Sequence, residues 1–202
     1  FKYLPKKSDL VKQLNLENKF VIGYIGTHGM AHKLDFIVET AAKIKDERVH
    51  FLFIGNGAEK EKIKILAGQL KLANCTFLDS VSKDKINEYI SITDVSLVPL
   101  KKSDTFKTVI PSKIFENSAM LKPILLGVEG EAKGIIEKYK AGICFEPENE
   151  KELIAAIEKL MMDVDFYNEL KLGCANLARD FDRIKLADKM LEVIKTTFNN
   201  AT

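Results

Sequence analysis

Phe20-Val21-Ile22-Gly23-Tyr24-Ile25, followed by Gly26-Thr27-His28-Gly29-Met30-Ala31-His32 and, further on, Val49-His50-Phe51-Leu52-Phe53-Ile54, is the stretch whose reading decides the fold. The two outer runs are apolar on successive residues and not on every second one, which a strand needs when helices cover both of its faces. Between them Leu34, Ile37, Val38, Ala41 and Ile44 return at the spacing of one helical face, and Asp35, Glu39 and Lys43 fall on the other. That is an amphipathic helix. Strand, glycine-bearing turn, helix and strand make a βαβ unit, and such a unit implies a parallel pair.

The alternation continues outward. Strand-like runs stand at Cys75–Leu78, Val95–Leu100, Pro123–Gly127 and Gly142–Phe145, while Ile63, Leu66, Ala67 and Leu70, and again Leu153, Ala156, Ile157, Leu160 and Met161, mark helical faces. A helix is also expected to open at Pro111 or Ser112, with proline pre-set for the first turn and serine able to cap it. The expected fold is α/β, a three-layer domain with a parallel sheet of about six strands. Asp165–Arg179 and Arg183–Phe198 read as helices with no strand between them, so the sheet ends and a helical tail begins. The opening residues 1–14 carry Pro5, several lysines and scattered apolar residues, and read as a connecting segment.

Bulk properties narrow the function. The 202 residues are 46% hydrophobic and 30% charged, an ordinary globular balance that affords one large domain. A net charge of +2 with lysines interleaved among acids does not outline a nucleic-acid surface. Cys75, Cys144 and Cys174 form no C-x-x-C pair and read as buried reduced thiols. No apolar run is long enough to span a bilayer, and the first residues show neither an initiator Met nor a signal-peptide pattern. The chain reads as cut from a longer one, cytoplasmic by default, with a membrane anchor left open for the missing part.

Ligands of an open parallel sheet bind beyond the carboxyl ends of its strands, so a site is expected in the loops there. Gly26-Thr27-His28-Gly29 leads toward a helix near Lys33 and suits an anion approaching backbone amides, though a plain tight turn explains it equally. His28 and His32 stand four apart, but no acidic third ligand is near and they straddle a loop-to-helix transition, so no metal site is expected. Gly55-Asn56-Gly57 makes a second close turn, and Asn56 stands where a dinucleotide fold wants an acid. No Walker loop occurs. On the helix after Pro111, Glu116 could accept hydrogen bonds from a sugar diol and Lys113 could face a diphosphate, the bland alternative being an exposed ion pair.

Taken in order, Gly23-Tyr24-Ile25-Gly26-Thr27-His28-Gly29, Phe53-Ile54-Gly55-Asn56-Gly57, Asp94-Val95-Ser96-Leu97-Val98-Pro99-Leu100, Pro111-Ser112-Lys113-Ile114-Phe115-Glu116 and Gly130-Glu131-Ala132 resemble glycosyltransferase family 4, above all the amino-sugar transferases of bacterial polysaccharide assembly. The resemblance runs from about Phe1 to Phe198. It implies a Rossmann-like domain, the C-terminal half of a GT-B architecture, with residues 1–14 as interdomain linker, 15–182 as the nucleotide-sugar domain and 183–202 as crossover helix and tail. It further implies retaining, metal-independent transfer from a nucleotide diphosphate sugar, UDP-linked by preference, with no cofactor. The acceptor, a glycan or lipid-linked chain, would sit on an absent N-terminal domain, and the whole enzyme could lie against the inner face of the membrane.

Carried over by position, Glu116 resembles the ribose-binding glutamate, and Gly26, Thr27, His28 and Gly29 the diphosphate loop. Gly130, Glu131 and Ala132 resemble the loop near the donor sugar and pyrophosphate, and the uracil site would involve backbone near Asp79, Ser80 and Val81. The chain departs from the family in two places. Thr108 stands where the first carboxylate of an E-x7-E motif belongs, and Thr27 replaces the loop arginine, leaving Lys33 and Lys113 to neutralise pyrophosphate. No catalytic residue is assigned. Those departures keep a rival open, a non-catalytic nucleotide or sugar-binding module; a nucleotide-sugar epimerase is disfavoured for want of an acid-base cluster.

Overall fold

The computed structural model describes residues 1–200; residues 201 and 202 of the expected tail lie outside the described residues. Six strands, β1 (Phe20–Ile25), β2 (Val49–Ile54), β3 (Cys75–Leu78), β4 (Val95–Pro99), β5 (Ile124–Gly127) and β6 (Gly142–Cys144), form one sheet in the order β3-β2-β1-β4-β5-β6. Every pairing is parallel. The chain steps outward from β1 to β3, then returns to the far side of β1 with β4. Connections therefore leave β1 and β4 in opposite directions, and a crevice opens at their carboxyl ends. The two strands share only the pairs Ile22↔Val95 and Gly23↔Ser96, whereas β1 and β2 pair over six positions.

Nine helices connect or flank these strands among the described residues: α1 (Ser8–Gln13), α2 (Leu34–Ala41), α3 (Lys60–Gln69), α4 (Ile86–Ser91), α5 (Lys113–Ala119), α6 (Glu131–Tyr139), α7 (Glu150–Met162), α8 (Val164–Asp180) and α9 (Arg183–Asn200). One face of the sheet buries Ile22, Tyr24, Phe51, Phe53, Leu97 and Leu125 under α2, α3 and α7. On the other face, Val98, Ile124 and Leu126 pack with Ile114 of α5, Ile136 of α6 and Cys174 and Leu177 of α8. Burial of both faces explains the unbroken apolar runs. All six residues of β2 are buried.

Three local features differ from the sequence expectation. Residues 8–13, expected within a connecting segment, form α1 and bury Leu10 against Leu16, Val21, Leu52, Ile54 and Ile92. The helix expected at Pro111 or Ser112 begins at Lys113. Ser112 is itself in helical conformation, and so its side chain makes no capping bond. Lys33 does not continue smoothly into α2 but holds a left-handed conformation at φ 50°, turning the chain between a single 3-10 turn at Met30–His32 and α2.

Candidate active site

Because every strand is parallel, the loops after β1, β2, β3, β4 and β5 all emerge on one rim. Three of them close on a single cavity of about 360 Å³ lined by Ile25, Gly26, Thr27, Ile54, Gly55, Asn56, Ser80, Val81 and Ile86. Gly26, Thr27, Ser80 and Val81, far apart in sequence, thus share one lining. Backbone fit brings the first two loops together. A Cβ on Gly55 would stand 1.9 Å from the Gly26 carbonyl oxygen, and one on Gly57 2.4 Å from that of His28. Only hydrogen can occupy those places.

Two amides of the first loop are already committed. Gly26 N–H donates to Ile54 O at 2.9 Å and His28 N–H to Asn56 O at 3.0 Å. No such bond engages the amides of Thr27 and Gly29 among the described residues, so the donors offered to a ligand are those two. His28 does not reach the cavity. Its ring is fully buried between Tyr24 and Phe53, and neither ring nitrogen has a hydrogen-bond partner. Burial first, then the nearby Lys60 and Lys113 ammonium groups, lower its pKa to about 4. A neutral, enclosed imidazole is a packing element.

Lys113 packs its amine against the loop from below. Its Nζ lies 4.3 Å from the Tyr24 ring centroid and would be 2.8 Å from a Cβ on Gly26. Tyr24 in turn donates its hydroxyl to Thr27 O at 2.5 Å. Desolvation lowers the Lys113 amine to about 8, and the Glu116 carboxylate, one turn on, works against that shift. Glu116 opens onto a second hollow of about 510 Å³, shared with Phe1, Ser112, Phe115, Phe181 and Arg183. The first turn of α5 therefore divides its polar groups, with the lysine under the β1 loop and the glutamate toward the α8–α9 corner.

The remaining expected residues stand further along the rim. Gly130 holds φ 74°, and a Cβ there would meet Lys107 O at 2.0 Å, so glycine is required. The Glu131 amide donates to that same oxygen at 2.8 Å. Gly130 and Glu131 line a hollow with Lys107, Thr108 and Lys138, whereas Ala132 is wholly buried beneath it. Lys33 pairs with Asp35 at 3.4 Å in a separate hollow with Met30, Lys62 and Lys101.

Sequence reasoning passed over Lys60. It opens α3, is buried, and its Nζ donates to Leu78 O at 2.9 Å, Asn56 Oδ1 at 2.9 Å and Asp79 Oδ1 at 2.7 Å. The signal was a lysine three residues after Gly57 at a helix start, which looks like any solvated helix residue.

The family model described as glycosyl transferases group 1 matches residues 6–172. A protein of Escherichia coli K12 named as a colanic acid biosynthesis glycosyl transferase, WcaI, is 29% identical over 157 residues, 76% of this chain and 38% of its own length. One of Bacillus subtilis 168 named for teichuronic acid biosynthesis, TuaH, is 27% identical over 164 residues, 80% of this chain and 40% of its own. The chain thus spans about two fifths of those relatives. The fold matches that of HepE from Anabaena, solved with UDP and glucose, at TM-score 0.81 and 18% identity over 94% of this chain and 52% of that one. It also matches the C-terminal domain of LpcC from Francisella tularensis at TM-score 0.71 and 15% identity, over 90% of this chain and 95% of that one. On the extent of the family match, this chain belongs to the group 1 glycosyl transferases.

Proposed function

We propose that this chain is the donor-binding, C-terminal domain of a glycosyltransferase that moves a sugar from a UDP-linked donor to a glycan or lipid-linked acceptor in polysaccharide synthesis. The observation that carries the reading is the convergence of the β1, β2 and β3 loops on one cavity, with the Lys113 amine directly under Gly26. The floor of that cavity is apolar at Ile25, Ile54, Val81 and Ile86, and Asn56 and Ser80 are polar at its edge. That combination suits a flat nucleobase. From there a diphosphate would run across the Thr27 and Gly29 amides above Lys113, and the ribose would lie toward Glu116. HepE, of the same fold, is described with UDP and with UDP-glucose.

In this reading the chain's own groups do their work on the leaving nucleoside diphosphate. Loop amides and an ammonium held in a desolvated place stabilise the negative charge that grows as the anomeric bond breaks. Retention of configuration, an amino-sugar donor and a cytoplasmic site at the membrane face belong to the same proposal. So does an N-terminal acceptor domain closing over the donor. The relatives' greater length supports that last point.

Calorimetric titration with UDP and UDP-sugars tests it. Binding should be measurable in the chain as it stands and fall at least about tenfold in Glu116→Ala, the loss of one charge-assisted hydrogen bond or more. Indifference to every nucleotide would favour a module of another kind.

A further inference from the structure

We infer that Tyr24 is a positioning residue for the diphosphate, its ring face holding the Lys113 ammonium and its hydroxyl holding the loop that offers the Thr27 and Gly29 amides. This rests on the proposed run of the diphosphate across that loop. Tyr24 is wholly buried in β1, against Phe53, His28 and His32. Those contacts would serve any core ring. Two others reach beyond the core, and both end on groups proposed to meet the anion.

The first is made by the hydroxyl. A carbonyl oxygen only accepts, so the Tyr24 O–H gives its proton to Thr27 O at 2.5 Å, and burial, which raises the pKa of the phenol, keeps that proton in place. The nitrogen of the same peptide, His28 N–H, donates to Asn56 O at 3.0 Å. With its oxygen and its nitrogen both tied, that peptide cannot turn, and the unbonded amides of Thr27 and Gly29 on either side keep their directions. The second contact is made by the ring. The Lys113 ammonium lies 4.3 Å from its centroid and forms no hydrogen bond or ion pair among the described residues. An aromatic face attracts a cation, most of all one withdrawn from water, so Tyr24 opposes the desolvation that drives Lys113 to lose its proton. Glu116 on α5 acts in the same sense. The other titratable groups of this corner, His28 and His32, have lowered pKa values and are uncharged where the amine titrates.

Both contacts can be tested on the whole chain. Carbon–proton NMR of the lysine ε-methylenes, with Lys113→Met to assign the signal, follows the amine without any nucleotide. Its midpoint should fall by about one pH unit in Tyr24→Leu and stay in place in Tyr24→Phe, which keeps the ring. Should the leucine variant not fold, pentafluorophenylalanine at position 24, which keeps the size of the ring and reverses the charge of its face, takes its place. UDP affinity at about pH 7, read by calorimetry, should fall about fivefold in Tyr24→Phe, the scale of one lost hydrogen bond. A merely structural tyrosine would change the melting temperature and leave the amine midpoint the same in every variant. A midpoint unmoved by loss of the ring, or a UDP affinity unmoved by loss of the hydroxyl, overturns the inference and leaves the donor-site reading standing. Failure of wild type to bind UDP at all overturns both.

Discussion

Lys113 stands under a glycine loop, over a tyrosine face, with His28 and His32 the other basic groups near it and Glu116 the one carboxylate opposing the shift. Its amine titrates near 8 because burial removes it from water. The ammonium is the form that attracts an anion, and it prevails below that pH. UDP affinity should therefore fall several-fold between about pH 7 and pH 9, and the fall should vanish in Lys113→Met, which keeps the stem and loses the charge. A wild-type affinity flat across that range would remove Lys113 from the diphosphate site. Stability runs the other way. The folded amine releases its proton near 8 and the unfolded one near 10.5, so within that window the unfolded chain binds more protons, and this residue's contribution improves as pH rises.

Among the elements, the pairing of β1 with β4 draws on a side chain. Their ladder is short, and Asp94, just before β4, extends it: its amide donates to Val21 O at 2.7 Å and its Oδ2 accepts from Val21 N at 2.8 Å. Lys6 also pairs with Oδ1 at 2.6 Å. Asp94→Ala should lower unfolding stability by about 2 kcal/mol, as expected when a partly buried amide loses a charged acceptor. A loss under about 0.5 kcal/mol in denaturant titration would mean the strands do not need it. The strands were legible in the sequence to within a residue or so, because a sheet covered on both faces makes its central strands almost continuous apolar runs, with His50 and Ser96 the buried polar exceptions. α1 was not legible, since Leu10 is its only buried residue and one apolar contact makes no period. The left-handed turn at Lys33 was equally hidden, because nothing in a lysine announces positive φ. In the site, the glycine turns could be read from residue type. The roles of Lys60 and His28 could not, since each depends on partners that only the β2 and β3 loops, once folded, supply.

At the scale of the molecule, the sheet and α1 through α8 bury their apolar faces, while α9 leaves Ile184, Met190 and Val193 at 74%, 66% and 66% exposure. Such a helix adds little to the stability of this body. Replacing Met190 and Val193 with glutamine and threonine should change it by no more than about 0.5 kcal/mol each. A loss of about 2 kcal/mol on denaturation would show that α9 belongs to the core. In the proposed whole enzyme that face would instead meet the acceptor domain. The amine poised above Tyr24 has a practical side as well, because the chain contains no tryptophan and only five tyrosines. Phenol fluorescence is then visible without a brighter emitter to mask it, and one of its few sources lies directly beneath the loop proposed to hold the diphosphate. An unlabelled sample, excited in the near ultraviolet, carries its own gauge of when that loop is filled.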